Sequence, residues 1–487
     1  MVPPVAAVPP LLPQGDPMRQ LSGSDDHHVL TETPTQPQHT LKCMVLDPAR
    51  AHGPVTFERV RSWAAATLPH VPPFRWQLAS VPMGLGHPFW LDRPELDLDY
   101  HVRTTRVVAP CGRAELAAVL GRMLGSELLD RSRPLWQLWL VEGLEHGRVA
   151  LVWKLHHSLA DGVACVRMFG EVLAPDPDAR PATPDSAPPA DPDVRGRRLL
   201  GRSAATLATS TARLPALVAR SLRAERIGQV RRRAGLSGPT KPFESPPTRF
   251  NRTFTQHRVC AWASLPMDEL KVVRRAFDCT LNDVFLAVCS GAVRSYLDRH
   301  GELPAGSLTA SVPVSLRRDD ELEAYGNRLT SWSVTLATSV DDPVDRLTAI
   351  RAATRAARES HAARHSETLV EEWMDYRMLW RRWIAFGNVA AGLARRPTFN
   401  IIVSNVRGPD RLYFDGAPIV EIISVGELAM GLGLNLTGWS YDDRMTVGCV
   451  ACPEHVPDLW DLADGLGDAL AGLVVAAGDV TTAPARS

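Results

Sequence analysis

The sequence predicts an α/β protein made of two halves of similar size, with a cleft between them as the place for a ligand. Three observations carry this expectation. Strand and helix patterns alternate from about residue 39 to 170, and the same mixed character returns from about residue 248. The stretch between them changes composition twice, first to a Pro/Asp-rich run and then to an arginine-rich one. The 487 residues suffice for two to four domains of roughly 100–200 residues each.

The elements follow in order. Residues 1–17, "MVPPVAAVPPLLPQGDP", are apolar but rich in proline. They lack a positive n-region and a continuous apolar h-region, so a disordered leader is expected rather than a signal peptide. Residues 18–173 form the first half. "HTLKCMVLDP" alternates like a strand, and "VTFERVRSWAAATL" and "RAELAAVLGRMLGSELLD" carry helical periodicity. "PLWQLWLVEGLEHGRVALVWKLHH" reads as two apolar strands around a turn, with a helix predicted from Gly162 to Val172.

Residues 174–247 are predicted to be a linker followed by a basic helical segment. "PDPDARPATPDSAPPADPD" cannot bury enough to fold alone. Arg195 to Arg233 holds eleven arginines, one glutamate and no aspartate, with Leu207, Leu214, Leu217, Val218, Leu222 and Val230 at helix-like spacing. Pro215 is a candidate break or start there.

Residues 248–478 form the second half. "HRVCAWASLP", "LTASVPVSL", "RLTSWSVTLATS", "TFNIIVSNVRGP", "APIVEIISVG" and "GLNLTGWSYDDRMTVGCVA" read as strands. "TLNDVFLAVCSGAVRSYLDRHG" reads as a helix opened by a Thr280–Asp283 capping box and closed at Gly301. A closing helix is expected over 457–475, and 479–487 as a tail.

Composition excludes several classes. Lys and Arg total 54 against 54 Asp and Glu, so net charge gives no argument for nucleic-acid binding. No apolar run approaches the ~18 residues of a membrane span. The eight cysteines are scattered; the one close pair, Cys449 and Cys452, sits in a strand-like run and reads as core thiols. No phosphate-cradling glycine loop is visible.

The chemistry concentrates in "KLHHSLADG", residues 154–162. Two histidines end a strand and an Asp-Gly pair follows. A metal site would need a third ligand of suitable type, and the HExxH spacing is absent. Ser158 lacks the GxSxG surroundings of a nucleophile. A histidine pair at a strand end lets one ring pack inward while the other faces solvent.

"HHSLADG" matches the HHxxxDG signature of the CoA-dependent acyltransferases. With "LSGSDDHHVL", "ELDLDYHVR", "LDRSRPLWQLWLVEGL", "TLNDVFLAVCSGAVRSYL", "SVPVSLR", "FNIIVSNVRGPD" and "GLNLTGWSYDDRMTVGC", the chain from about residue 20 to 475 resembles the bacterial wax ester synthase/diacylglycerol acyltransferase family. Three features depart from that pattern: Arg407 in "SNVRGP", the His27–His28 pair in the early motif, and the proline-rich linker.

The resemblance implies two chloramphenicol-acetyltransferase-like domains, each a mixed sheet flanked by helices, with a catalytic channel between them. It implies an enzyme moving a long-chain acyl group from acyl-CoA to the hydroxyl of diacylglycerol or of a long-chain alcohol. His157 would be the general base, for which imidazole's ordinary pKa near 6.5 is suited. His156 would be its packing or hydrogen-bonding neighbour. Asp161 would hold the loop by pairing with Arg317, against the plainer reading that it caps the next helix. Gly162 would allow close backbone approach.

Asn282 is a candidate oxyanion donor at a helix N-terminus. Pro134, Leu135, Trp136 and Asp283 are candidates to line the substrate, Asp283 being equally a capping residue. Trp373, Trp380, Trp383 and Phe386 read as core packing or an acyl-tunnel wall. No metal and no cofactor are expected, acyl-CoA being a substrate.

The expected location is cytoplasmic, peripheral to the membrane or to lipid droplets, with the basic helix as the contact. Diacylglycerol is the preferred acceptor, since the Ala-, Arg- and Pro-rich composition suggests a high-GC genome. The other readings are a carrier-protein-fed condensation domain and a non-catalytic droplet-coating protein.

Overall fold

The computed structural model describes residues 18–482 apart from 94, 180–195, 235–242, 254, 319–320, 322–323, 365–368, 385–395 and 430. The leader 1–17, most of the linker, Phe386 and the end of the tail lie outside the described residues. Among the described residues, two six-stranded sheets and one of three strands form the frame.

The first large sheet runs Tyr413–Phe414, Ala417–Val425, His39–Leu46, Val149–His156, Trp136–Leu144, Val102–Cys111. His39–Leu46 and Val149–His156 are buried at every position, which is why their sequences read as apolar runs rather than as strict alternation. The second runs Leu329–Thr335, Thr309–Ser315, Ile401–Arg407, Leu434–Tyr441, Arg444–Ala451, Val259–Pro266. Both sheets mix parallel and antiparallel pairs, as at Val102–Cys111 with Trp136–Leu144 and at Ile401–Arg407 with Leu434–Tyr441.

The sheets do not follow the division of the chain into halves. Ala417–Val425, grouped by its position with the second half, pairs antiparallel with His39–Leu46 and completes the first sheet, Ile422 opposite Met44 and Val425 opposite Leu41. It also lies against Arg444–Ala451 of the second sheet. An added Cβ on Gly448 would collide with the Ser424 carbonyl, so only glycine lets the two strands approach there.

Helices cover the sheets. Leu281–Arg299 opens with the reciprocal cap: Asp283 N donates to Thr280 Oγ1 at 3.1 Å and Thr280 N to Asp283 Oδ2 at 2.9 Å. It packs with Leu459–Thr482 through Phe285, Val288, Leu462, Leu466 and Leu470. Gly301, at φ +65°, ends it. Trp136, Trp153, Phe74 and Phe169 centre the core of the first sheet. A third cluster joins the two halves, with Leu41 and Val152 of one against Trp262 and Val450 of the other.

The basic segment is one helix, Gly196–Arg233, continuous through Pro215. The hydrogen bond lost at proline is offset by packing: Leu217 and Ala224 bury against Leu369, with Trp373 and Tyr376 beside them. Among the described residues no single helix is long and apolar enough to cross a membrane.

Candidate active site

The site is assembled where strand Val149–His156 ends. His156 stands opposite His39 in the ladder. His157 extends the pairing by one step, donating its N–H to the Gln38 carbonyl at 2.7 Å. A turn closes from Leu159 N to His156 O at 3.0 Å, and Asp161 caps helix Gly162–Val172 by accepting from Ala164 N at 2.9 Å. Strand, turn and cap follow one another within a few residues, so the two imidazoles diverge.

His156 is buried. Its Nδ1 accepts from Ser158 N at 3.1 Å and lies 2.7 Å from Ser158 Oγ, and its Nε2 is 3.2 Å from Glu32 Oε1. Glu32 also meets Arg131 at 2.9 Å. Burial alone would raise the Glu32 pKa, but His156, His39 and Arg131 hold it down to about 2. These contacts fix His156 as a support, and they occupy the Ser158 hydroxyl.

His157 is the open member of the pair, its side chain 20% exposed. Its ring stacks on His28 at 4.3 Å, and its Nε2 lies 3.4 Å from Glu427 Oε2. The His157 carbonyl accepts from Asn327 Nδ2 at 2.8 Å. His28 comes from helix Gly23–Thr31, where a Ser22–Asp25 capping box sets the start. Asp25 Oδ1 accepts from Asn327 N at 2.8 Å and Nδ2 at 2.9 Å, which ties that helix to the second half. Burial pushes the His28 pKa well below the usual imidazole value, and that of His27 down to about 4.

Asp161 serves two partners at once. While Oδ1 caps the helix, Oδ2 pairs with the Arg317 guanidinium and accepts from Arg328 N at 3.0 Å. Arg317 also donates to the Gly326 carbonyl at 2.6 Å, and both side chains of the pair are fully buried. The cap and the ion pair therefore coexist. Beside them, an added Cβ on Gly162 would stand 2.6 Å from Val406 Cγ2, so the room left by this glycine is filled by the strand of the second sheet.

The other candidates lie as follows. Leu135 and Trp136 are fully buried in the first core, and the Trp136 indole donates to the Phe74 carbonyl at 2.8 Å and stacks on His101 at 4.2 Å. Pro134 is buried beside them, bridging to Gln77. Asp283 is likewise spent, on its cap and on accepting from Thr354 Oγ1 at 2.6 Å. Asn282 accepts from Asn405 Nδ2 at 3.2 Å. Trp373 donates to Ser221 Oγ at 3.0 Å, Trp380 donates to His27 Nδ1 at 3.1 Å, and Trp383 stacks on Trp380 at the surface.

Three side chains escaped the sequence reading. Glu427 carries no local signal in "SVGELAM". His28 stood out only as an unusual residue. Lys42 was visible as a charge within an apolar strand; it is buried with its Nζ donating to Thr40 Oγ1 at 2.6 Å and lying over the Trp439 ring, and burial lowers its pKa.

Known proteins place this frame. Residues 21–285 match the wax ester synthase/diacylglycerol acyltransferase catalytic domain, and residues 325–473 the C-terminal domain of the same family. A Mycobacterium tuberculosis protein named as a diacylglycerol O-acyltransferase is 34% identical over 96% of this chain and 93% of its own length. The solved wax ester synthase/diacylglycerol acyltransferase from Marinobacter aquaeolei VT8 aligns with a TM-score of 0.66 at 26% identity, covering 94% of this chain and all of that one. The first condensation domain of the CDA synthetase shares the fold, with a TM-score of 0.56 at 15% identity over 93% of this chain and 96% of that one. The fold is thus that of the two-sheet acyltransferases and condensation domains. The chain belongs to the wax ester synthase/diacylglycerol acyltransferase family and is an acyltransferase.

Proposed function

We propose that this protein transfers a long-chain acyl group from acyl-CoA to the hydroxyl of diacylglycerol, and also to long-chain alcohols, with His157 as general base. One observation carries the assignment of the base: of the two adjacent imidazoles, only that of His157 is open, while that of His156 is buried between Ser158 and Glu32. In the step, the acceptor oxygen attacks the thioester carbonyl as His157 Nε2 takes its proton. The tetrahedral intermediate collapses by breaking the carbon–sulfur bond, and the departing CoA thiolate recovers that proton from His157. No acyl-enzyme forms, and no cofactor is required beyond the acyl-CoA substrate. Asp161 and Arg317 are positioning residues that hold the loop, and Asn282 is proposed to donate to the oxyanion.

Diacylglycerol is favoured as acceptor by the naming of the mycobacterial relative. Its discrimination is direct: palmitoyl-CoA offered hexadecanol and diacylglycerol together is expected to yield mainly triacylglycerol. Wax ester as the sole product would overturn the preference. His157→Ala is expected to slow transfer by about two to four orders of magnitude in a folded protein. Near-normal product formation by that variant would end the general-base reading.

The acceptor is water-insoluble, so the enzyme must meet a lipid phase, peripherally and from the cytoplasmic side. The proposed contact combines Leu207, Val218 and Leu222 of helix Gly196–Arg233 with Met83, Leu85, Met378, Leu379 and Trp383, all exposed. These segments are neighbours: Ser203 Oγ donates to the Leu85 carbonyl and Tyr376 Oη to the Ser210 carbonyl. Trp380, stacked on Trp383, reaches His27, one residue from the ring beside His157.

A further inference from the structure

Three ligand-type atoms from distant parts of the chain converge beside the open histidine. One ring nitrogen of His28, one of His157 and a Glu427 carboxylate oxygen all lie within 4.8 Å of one another. Glu427 Oε2 is 3.4 Å from His157 Nε2, and Glu427 Oε1 is 4.0 Å from His28 Nδ1. We propose that these three side chains bind a divalent transition-metal ion, zinc fitting best, and that the bound ion stops acyl transfer by occupying the nitrogen that would take the acceptor's proton. The blocking half of this proposal rests on the reading of His157 as the base.

The donor set argues for the class of ion. Two imidazoles and one carboxylate are a borderline set that suits zinc far better than magnesium or calcium, which favour oxygen alone. With bonds of about 2.0–2.1 Å, ligand atoms around a tetrahedral zinc stand about 3.3 Å apart. The His157–Glu427 pair is already at that spacing; the His28 ring, stacked on His157 at 4.3 Å, must turn out of the stack for its lone pair to converge on the same ion.

The side chains of His28, His157 and Glu427 are 13%, 20% and 11% exposed, so the site is recessed yet reachable, with a fourth position for water. His28 Nδ1 donates to Gln38 Oε1 at 2.9 Å, a contact it must leave to coordinate, its proton moving to Nε2 so that the Nδ1 lone pair is free. His157 Nε2 has one in-plane lone pair. Spent on a metal, it cannot accept a proton.

The test uses the full chain, first stripped of metal with EDTA and exchanged into metal-free buffer. Zinc sulfate is titrated calorimetrically into wild type, Glu427→Gln and His28→Phe, each checked for a native melting transition. Transfer from palmitoyl-CoA to diacylglycerol is followed by product chromatography against zinc.

One zinc per wild-type chain is expected, weakened at least about tenfold in each variant, with inhibition tracking occupancy and reversed by EDTA. Measured against each variant's own metal-free rate, the zinc concentration giving half-inhibition should rise by the same factor. Failure of wild type to bind one zinc, or equal affinity in both variants, overturns the site. Release of free palmitate at the zinc-loaded site overturns the block, since it would mean that metal-bound water attacks the thioester. Full zinc occupancy with undiminished transfer would count instead against His157 as the base, which the metal-free His157→Ala rate tests separately.

Discussion

Asp161 shows how one side chain joins the halves of this enzyme. Its two oxygens divide the work, one capping Gly162–Val172 and the other meeting Arg317 and Arg328 N. Because both partners are fully buried, the pair contributes by balance more than by attraction: removing one charge strands the other where water cannot reach it. Asp161→Asn retains a cap acceptor but leaves the Arg317 guanidinium facing carbonyls alone. It is expected to lower stability by about 3–5 kcal/mol, as is Arg317→Ala, with the double variant costing less than their sum. Urea unfolding of the four proteins measures this; full additivity would deny the coupling. The sequence offered cap and ion pair as alternatives, because it shows which residues can partner Asp161 but not that its two oxygens point different ways.

At the scale of elements, the connecting helix has two sides. Leu217, Ala224 and Arg220 face the protein, Arg220 pairing with Glu372, and Arg231 lies 3.8 Å from Glu359. Leu207, Val218 and Leu222 are spaced by about three turns and one turn, so they share another side, left exposed. A lipid-contact test must therefore spare Arg220 and Arg231 and change exposed positions. Arg223→Gln with Arg226→Gln should weaken flotation with anionic vesicles and reduce its salt dependence, each arginine contributing about 1 kcal/mol near such a surface. Leu207→Ser with Leu222→Ser should weaken binding to neutral droplets as well. Flotation unchanged in both pairs would remove this helix as the contact.

The helix itself was legible from its spacing, and so were most strands, since apolar runs bounded by turns mark them well. Ala417–Val425 read correctly as a strand, yet nothing in its side chains says which sheet receives it. The same limit hid Glu427: it reaches His157 only because that strand crosses to the first sheet and the chain then turns back beside the histidines. Trp136 meets a related limit, since a Pro-Leu-Trp corner looks alike in sequence whether it borders a channel or fills a core.

Taken whole, the molecule buries an unusual number of neutral imidazoles around the junction of its halves. Burial holds His27 and His101 down to about 4, and His28 and His39 well below the usual value. In the unfolded chain each would take up a proton near pH 6.5. Between that pH and the lower folded values the unfolded state binds more protons, so stability falls as pH falls. Glu32 acts in the same direction further down: held to about 2 when folded, it stabilises above its unfolded value near 4.5, and that contribution fades as pH drops toward 2. His87 opposes them. Despite its burial, Asp26 raises its pKa, so its contribution is present below pH 6.5 and is lost as pH rises through the folded value. His361, lowered by burial, acts with the four lowered imidazoles, while the carboxyls of Glu371, Asp375 and Glu421, raised by burial, act with His87. Five groups against four set the sign, and the urea midpoint is expected to fall from pH 7 to pH 4.5. His101, which donates to the Trp136 carbonyl at 2.8 Å inside the first core, supplies the control. Replacing it by phenylalanine should reduce the total loss of stability between pH 6.5 and 4 by up to about 3 kcal/mol, since one pKa unit corresponds to about 1.4 kcal/mol. A midpoint that stays level or climbs over that range would show that these rings are already protonated in the folded protein, each having found a partner or water in place of the apolar burial described above.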